Sequence, residues 1–515
     1  MHNHVRQSDG FAKRCGGGRP ARGLILPVVL VILVLLALLS ASFSFQVQAD
    51  YSAGRGMAER LQSRLAAEAG VHAVMVRLRT DFDNLDAWYR NPQAFDQALV
   101  WAPDAAVDEL GTSTLVREDD SGDAPEMSAY ALRFSIVSDE PLDIEDRLED
   151  GRIRFGITDE ASKLNINTAR PEQLLALFQP VVVNLGFEVT YAQDLVDALI
   201  DWRDPDDDPT NEERPAESNY YRSLRPPYRA KNGPFETVEE LLMVRGFDGR
   251  ILFGEDQDRN GLITERSEDD GEEVFPMDNG DGVLERGIYP YVTCYSQEFN
   301  VSSANQQRVN LFRAQADDLT EIFERQVVID FILKSTKPSG TQATRSLADY
   351  LQPRIIDDST VPSPLTPDEA TILFDRCTLN STPQNVGLVN VNTADPVVLR
   401  ALGLSESTVA NIVSSRQTIP AAQRTTPAWL VTNGAMKPDA FAAVQNFLTA
   451  RSRQFTIESI GYSDQRGIYT RLQVVVAMRG PVPQIVYYRD ITRLGMGFPV
   501  RGEEGERRFA LHAEQ

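Results

Sequence analysis

The 515-residue sequence predicts an α+β protein: a long N-terminal helix, then an antiparallel sheet that a large helical insert splits in two. Three observations carry this reading. A stretch of 22 uncharged residues, Leu24 to Phe45, runs into an amphipathic helical pattern. Alternating segments rich in Ile, Phe and Val lie on both sides of a long helical middle. Within that middle, "LNINTARPEQLLALF" (Leu164 to Phe178) returns as "VNVNTADPVVLRALG" (Val389 to Gly403).

The apolar stretch comes first. About 20 apolar residues span a bilayer as a helix. Arg6, Lys13, Arg14, Arg19 and Arg22 precede it, and the first acid after it is Asp50. That asymmetry predicts an inner-membrane, single-pass protein with a cytoplasmic N-terminus and everything after the span exported to the periplasm. A plain anchor and a secretory signal cut near Ala49 are the competing readings. A basic leader ending in Arg22-Gly23, directly before the apolar run, resembles the prepilin peptidase site of type IV pilin-like proteins. On that resemblance residues 1–23 are a leader cut between Gly23 and Leu24, residues 24–45 the transmembrane helix, and residues 46–100 a pilin-like stalk helix. Met57, Leu61, Leu65, Val71, Met75 and Leu78 supply the apolar stripe expected of such a stalk.

The sheet follows. Residues 101–167 hold two alternating segments, "MSAYALRFSIVSDE" and "GRIRFGITDEASKLNIN", which read as an antiparallel pair. "RQFTIESIGYSD", "GIYTRLQVVVAMRG" and "PQIVYYRDITRL", within residues 451–496, read as three more strands. Between them, residues 168–450 are patterned mainly as helices. Residues 497–515 are charged and read as a disordered tail.

The repeat organises the insert. Its two copies resemble helix-hairpin-helix units, at 165–253 and 390–449, and Leu242 to Gly246 matches Leu430 to Gly434. Thr168 and Thr393, just before Pro171 and Pro396, read as helix caps. DNA-binding hairpins use a Gly-x-Gly turn to meet phosphate, and neither copy has one. The chain carries 75 acidic and 51 basic residues, a net charge of −24, which disfavours a polyanionic partner. No nucleic acid is expected, and the Asn residues read as turn-capping groups. A membrane-anchored, exported DNA-binding protein of a competence-like system stays as the alternative.

The middle of the first unit narrows the reading. Asp201, Trp202, Asp204, Asp206, Ala216, Glu217, Tyr220, Tyr221, Pro226, Pro227, Tyr228, Lys231, Asn232 and the Arg245-Gly246 pair stand in the order of the K-type minor pseudopilins of the type II secretion system. The span also lacks a carboxylate at Val28, the fifth residue after the cleavage site, as that family does. The resemblance implies a pseudopilin that caps the pseudopilus tip and helps to start its assembly. It implies as partners the I-type and J-type minor pseudopilins, the pseudopilus, prepilin peptidase and the inner membrane, with secretin or secreted cargo as further contacts. It also implies calcium in the helical domain. Pro27, beside the cleavage site, is unusual for the family.

Two acidic clusters compete for that ion. Asp204, Asp206, Asp208 and Glu217 lie in the loop after Trp202. Asp256, Asp258 and Asn260 begin an EF-hand-like run inside an acidic insertion at 254–290, but Ser267 stands where the bidentate Glu belongs. Hard oxygen donors without His or Cys suit Ca²⁺ over zinc; the plain alternative is a solvated acidic surface. A membrane-anchored calcium-dependent scaffold is a third functional reading. Cys294 and Cys377, exported together, form a candidate disulfide. The sequence has no nucleophile elbow, P-loop, HExxH or dinucleotide fingerprint, so catalysis is not expected.

Overall fold

The structure is a computed structural model that describes residues 25–82, 84–101, 131–138, 154–256, 259, 268, 282, 284–337, 339–340, 343–463, 467–480 and 482–497. The Gly23–Leu24 site, Asp258, Asn260, most of 254–290 and the tail after Gly497 lie outside the described residues.

The chain forms two compact units, residues 1–61 and 62–515. In the first, residues 25–61 are part of the helix Ile25–Thr80. Its apolar side chains from Val28 to Phe45 are exposed, and it is apolar enough over an 18-residue window (mean hydropathy 2.8) to cross a membrane.

In the second unit the helix ends at Thr80, and a strand already starts at Ala98, so the stalk is shorter than residues 46–100. Arg77 and Arg79 favour the C-terminal end of the helix dipole, and the Asp- and Asn-rich residues that follow favour turns. The expected stripe holds in part. Val71 and Leu78 are buried, Met75 packs beside them, and Ala67 and Val74 complete the face against Phe134, Ile136, Phe455, Ile457, Val474 and Val476, while Leu65 is 53% exposed. Small groups select that face. A Cβ on Gly70 would lie 2.4 Å from Ser459 Oγ, and one on Gly461 would lie 2.1 Å from the Ser63 carbonyl oxygen. Ser459 Oγ then donates to the Ala67 carbonyl (2.8 Å), and Ser63 and Thr470 hydroxyls bond at 2.9 Å. Close backbone approach outweighs the larger apolar side chains here.

Among the described residues the sheet has seven antiparallel strands. Five follow the order Ala98–Trp101, Leu132–Ser138, Gln454–Ser463, Tyr469–Met478, Pro483–Asp490. Arg154–Phe155 pairs with the second, and Thr158–Asp159 with the third (Phe455 opposite Asp159). The three C-terminal strands and the early antiparallel pair are therefore those the alternation predicts. Residues far apart in sequence share the central ladder, Glu458 opposite Val137 and Ser459 opposite Ile136.

The helical part has one continuous apolar core from Leu164 to Ala450. Where the sequence shows two repeats, the structure has three modules. Each opens with a two-residue strand (Leu164–Asn165, Val309–Asn310, Val389–Asn390) that pairs in parallel with a closing strand (Val292–Thr293, Cys377–Thr378, Leu448–Thr449). In each, Asn Oδ1 accepts from the N–H two residues on: Asn165 from Asn167 (2.9 Å), Asn310 from Phe312 (3.0 Å), Asn390 from Asn392 (3.0 Å). In each closing strand the Thr hydroxyl accepts from the N–H two residues on, at Tyr295, Asn380 and Arg451. The middle copy hides because only Asn310, Ala314 and Leu319 of its "VNLFRAQADDL" keep the repeated positions, and the second Asn, the Thr and the Pro are lost. The signal that reveals it is the closing Thr-x-x-Ser, at 293–296, 378–381 and 449–452.

The Asn turns have the structural use expected of them, but the threonines do not cap. Gln173 Oε1 accepts from Arg170 N (2.9 Å) at helix Pro171–Asn184, and Asp395 Oδ1 accepts from Val397 N (2.7 Å) at helix Pro396–Ala401. Thr168 and Thr393 lie two residues too early, inside the turn. The first helix of each expected unit folds back into a second, Tyr191–Arg203 and Glu406–Thr418, through turns with Gly186 (φ 78°) and Gly403 (φ 88°). A further antiparallel hairpin, Arg354–Ile356 with Ser359–Val361, has Asp357 and Asp358 both at positive φ (50° and 58°), which suits a tight primed turn.

Candidate metal centre

Helix Tyr191–Arg203 buries Leu195, Ala198, Leu199 and Trp202 on one side. Asp201 falls among them and is fully buried. Its two oxygens accept from Thr210 N (2.7 Å) and Ala216 N (3.1 Å), which folds the acidic loop back over the helix end. Asp204 follows the helix as its C-cap, and Glu217 is the N-cap of the short helix Ser218–Arg222. Ligand oxygens of Asp201, Asp204 and Glu217 come within 4.8 Å of one another.

Aromatic residues form the wall beside this cluster. Trp202 and Tyr221 meet edge to face (5.1 Å), Tyr221 and Tyr228 stack (5.1 Å), and Arg245 covers Tyr220 (4.6 Å). Trp202 Nε1 donates to Glu240 Oε1 (2.9 Å), Lys231 Nζ to Glu240 Oε2 (3.0 Å), and Tyr228 Oη to the Met243 carbonyl (2.8 Å). Asn232 Nδ2 holds the loop through the Asp206 carbonyl (2.6 Å). These contacts place most of the motif residues around one corner of the core.

The cluster suits a cation. Asp204 Oδ1 and both oxygens of Glu217 are buried without a hydrogen-bond partner of good geometry, as is Asn232 Oδ1. Glu217 is only 2% exposed. Burial, followed by the charges of Asp201, Asp204 and Asp207, pushes its carboxyl up to about 7. Burial, then Asp206 and Asp201, also raises Asp204. Buried oxygens that lack donors and repel one another are the arrangement a divalent ion relieves. The donor set is all oxygen, which fits calcium.

The structure thus brings together two of the four acids the sequence reading chose and adds a third. Asp206 and Asp208 do not join: both are exposed, and Asp206 Oδ1 accepts from Asp208 N (3.0 Å). Asp201 lies outside the acid-dense loop, on the helix before it. Its signal is an acid on an apolar helical stripe. In the rival cluster Asp256 is buried and ion-paired to Arg286 (3.2 Å). The candidate disulfide is not formed: Cys294 and Cys377 are free thiols in or beside the closing strands of different modules, and both pack in the core. Burial raises both thiols, Cys377 to about 12.

Comparison with known proteins agrees with the resemblance read from the sequence. Residues 161–252 match the family described as Type II secretion system (T2SS), protein K. That segment contains every residue of the cluster. The Type II secretion system protein K of Pseudomonas aeruginosa is 33% identical over 106 residues, 19% of this chain and 31% of that protein. The match therefore spans about a third of the relative's length. A chain in the crystal structure of the GspK-GspI-GspJ complex from the enterotoxigenic Escherichia coli type 2 secretion system is similar over 85% of this chain and 98% of its own length, at 12% identity and a TM-score of 0.39.

Proposed function

We propose that this chain, whose residues 161–252 carry the protein K segment of the type II secretion system, is a K-type minor pseudopilin of that system. The observation that carries the reading is this match, together with an N-terminal helix long and apolar enough to cross a membrane. Its work is assembly. After prepilin peptidase cuts between Gly23 and Leu24, residues 24–45 hold it in the inner membrane and the remainder faces the periplasm. It joins the I-type and J-type minor pseudopilins at the pseudopilus tip and helps to start the fibre that drives protein export. No carboxylate stands at Val28, so the span has nothing to pair with the N-terminus of a subunit above, which suits a terminal position.

Within this reading Asp201, Asp204 and Glu217 hold a calcium ion that fixes the loop and its aromatic wall. Competence-type DNA binding is not favoured: the repeated Asn turns are spent on internal backbone groups, and the net charge of −24 opposes phosphate. Mass spectrometry of the membrane-extracted protein tests the assignment. A mature chain beginning at Leu24 is expected. A start at Met1 or near Asp50 would remove the pseudopilin reading.

A further inference from the structure

We propose that the sheet controls the closure of the helical part through a two-carboxylate latch, in which Asp159 completes the third module and Glu160 ties the first module to the sheet. The argument starts from a difference among the three modules. In the first, Asn165 Nδ2 donates to its own closing-strand serine, Ser296 Oγ (3.1 Å). In the second, Asn310 Nδ2 donates likewise to Ser381 Oγ (2.9 Å). In the third, Asn390 Nδ2 donates to Asp159 Oδ2 (2.7 Å), on a strand of the sheet. Thr393 Oγ1 donates to the same oxygen (2.6 Å), while Ser452, the serine of this module, donates to the Gln454 carbonyl instead (3.1 Å). Ala161 N donates to Asp159 Oδ1 (2.8 Å).

Asp159 is fully buried and takes neutral donors from two places, its own turn and the opening turn of the third module. Its ladder partner is Phe455, three residues after Ser452, so the carboxylate stands where the third module's chain re-enters the sheet. Glu160 is also buried and accepts from Thr293 of the first module's closing strand and from Thr456 of the sheet. Opening the third module against the sheet strands a buried carboxylate together with two donors, Asn390 Nδ2 and Thr393 Oγ1. Opening the first module at its Asn–Ser pair does not touch Asp159. The latch therefore makes the third module conditional on the sheet, and it does so whether or not the chain acts in secretion.

Hydrogen-exchange mass spectrometry on the full-length protein in detergent tests this. Asp159→Ala should speed exchange of amides in 389–394 and 448–452 by about tenfold or more, as expected when buried donors lose their acceptor, and leave 164–169 unchanged. Thr393→Val keeps the shape and removes one donor; it should raise exchange in the same two segments by a smaller factor and serves if Asp159→Ala does not fold. Asn165→Ala should act on the first module alone. Exchange that rises evenly across the chain in Asp159→Ala, or stays at the wild-type rate in 448–452 for Thr393→Val, overturns the latch.

Discussion

The first and third modules start from the same Asn turn and end on the same parallel strand pair, yet they are built for different ends. In the first, residues 204–237 separate helix Tyr191–Arg203 from the short helix Val238–Met243, and this stretch carries Asp204, Glu217 and the tyrosines of the aromatic wall. In the third, only residues 419–428 separate helix Glu406–Thr418 from helix Trp429–Thr432, and they contain no acid. The repeated turn is therefore a scaffold. What each module can bind depends on what is inserted between its second helix and its return.

If that division holds, the modules should share scaffold energetics and differ in response to metal. The largest expected effect is on the wall of the first module. Trp202→Ala removes a buried indole and its bond to Glu240, and should cost about 3–5 kcal/mol. Trp429→Ala, in the short helix Trp429–Thr432 of the third module, should cost a similar amount by thermal unfolding. Only Trp202→Ala should also change the dependence of melting on Ca²⁺. Equal calcium dependence of both variants would break the comparison.

Calcium itself comes next. Chelation should lower the melting temperature of the full-length protein in detergent, and Ca²⁺ should restore it better than Mg²⁺. The gain is about 2.7 kcal/mol at a hundred times the dissociation constant. Glu217→Gln should remove most of it, while Asp206→Asn should not, because Asp206 lies outside the three-carboxylate group. A calcium response that survives Glu217→Gln would move the ion elsewhere.

The pH dependence sharpens the same point. The folded Glu217 carboxyl is raised to about 7 from 4.5, so in metal-free protein its contribution is full below pH 4.5 and is lost as pH rises through about 7. The gain in melting temperature on adding Ca²⁺ should grow over that window, since the ion binds the deprotonated form. Wild type minus Glu217→Gln isolates this component. A calcium gain flat from pH 4.5 to 7 would exclude Glu217 as a ligand.

The smallest effects concern the shared turn. Asn167 bonds both backbone groups of Phe235, and Asn392 bonds the carbonyls of Arg424 and Ala450. Alanine at either should cost roughly 1–3 kcal/mol without altering calcium binding, as judged by titration of the purified variants. A calcium effect from Asn392→Ala would mean the modules are not separable.

Much of this was legible in the sequence because its causes are local. Apolar length marks the N-terminal helix, period-two alternation marks the C-terminal strands, and the order of Asp, Trp, Tyr and Pro residues from Asp201 to Gly246 marks the segment similar to protein K. The sequence could also show that the Asn turn is repeated and that hard oxygen donors crowd the loop after Trp202. It could not show which acids converge. Asp201 becomes a partner of Glu217 only because the chain from Thr210 to Ala216 folds back onto it through two backbone N–H groups. Apolar periodicity found Val71, Met75 and Leu78 on the buried face of the N-terminal helix, but the close backbone fit at Gly70 and Gly461, which leaves Leu65 outside, is recorded by no periodicity. The middle copy of the turn left only a faint Thr-x-x-Ser in the sequence, and the pairing of Val309–Asn310 with Cys377–Thr378 made it a module. In each case the deciding contact joins residues distant in sequence, and its energy depends on burial and approach, which exist only once the core around them has closed.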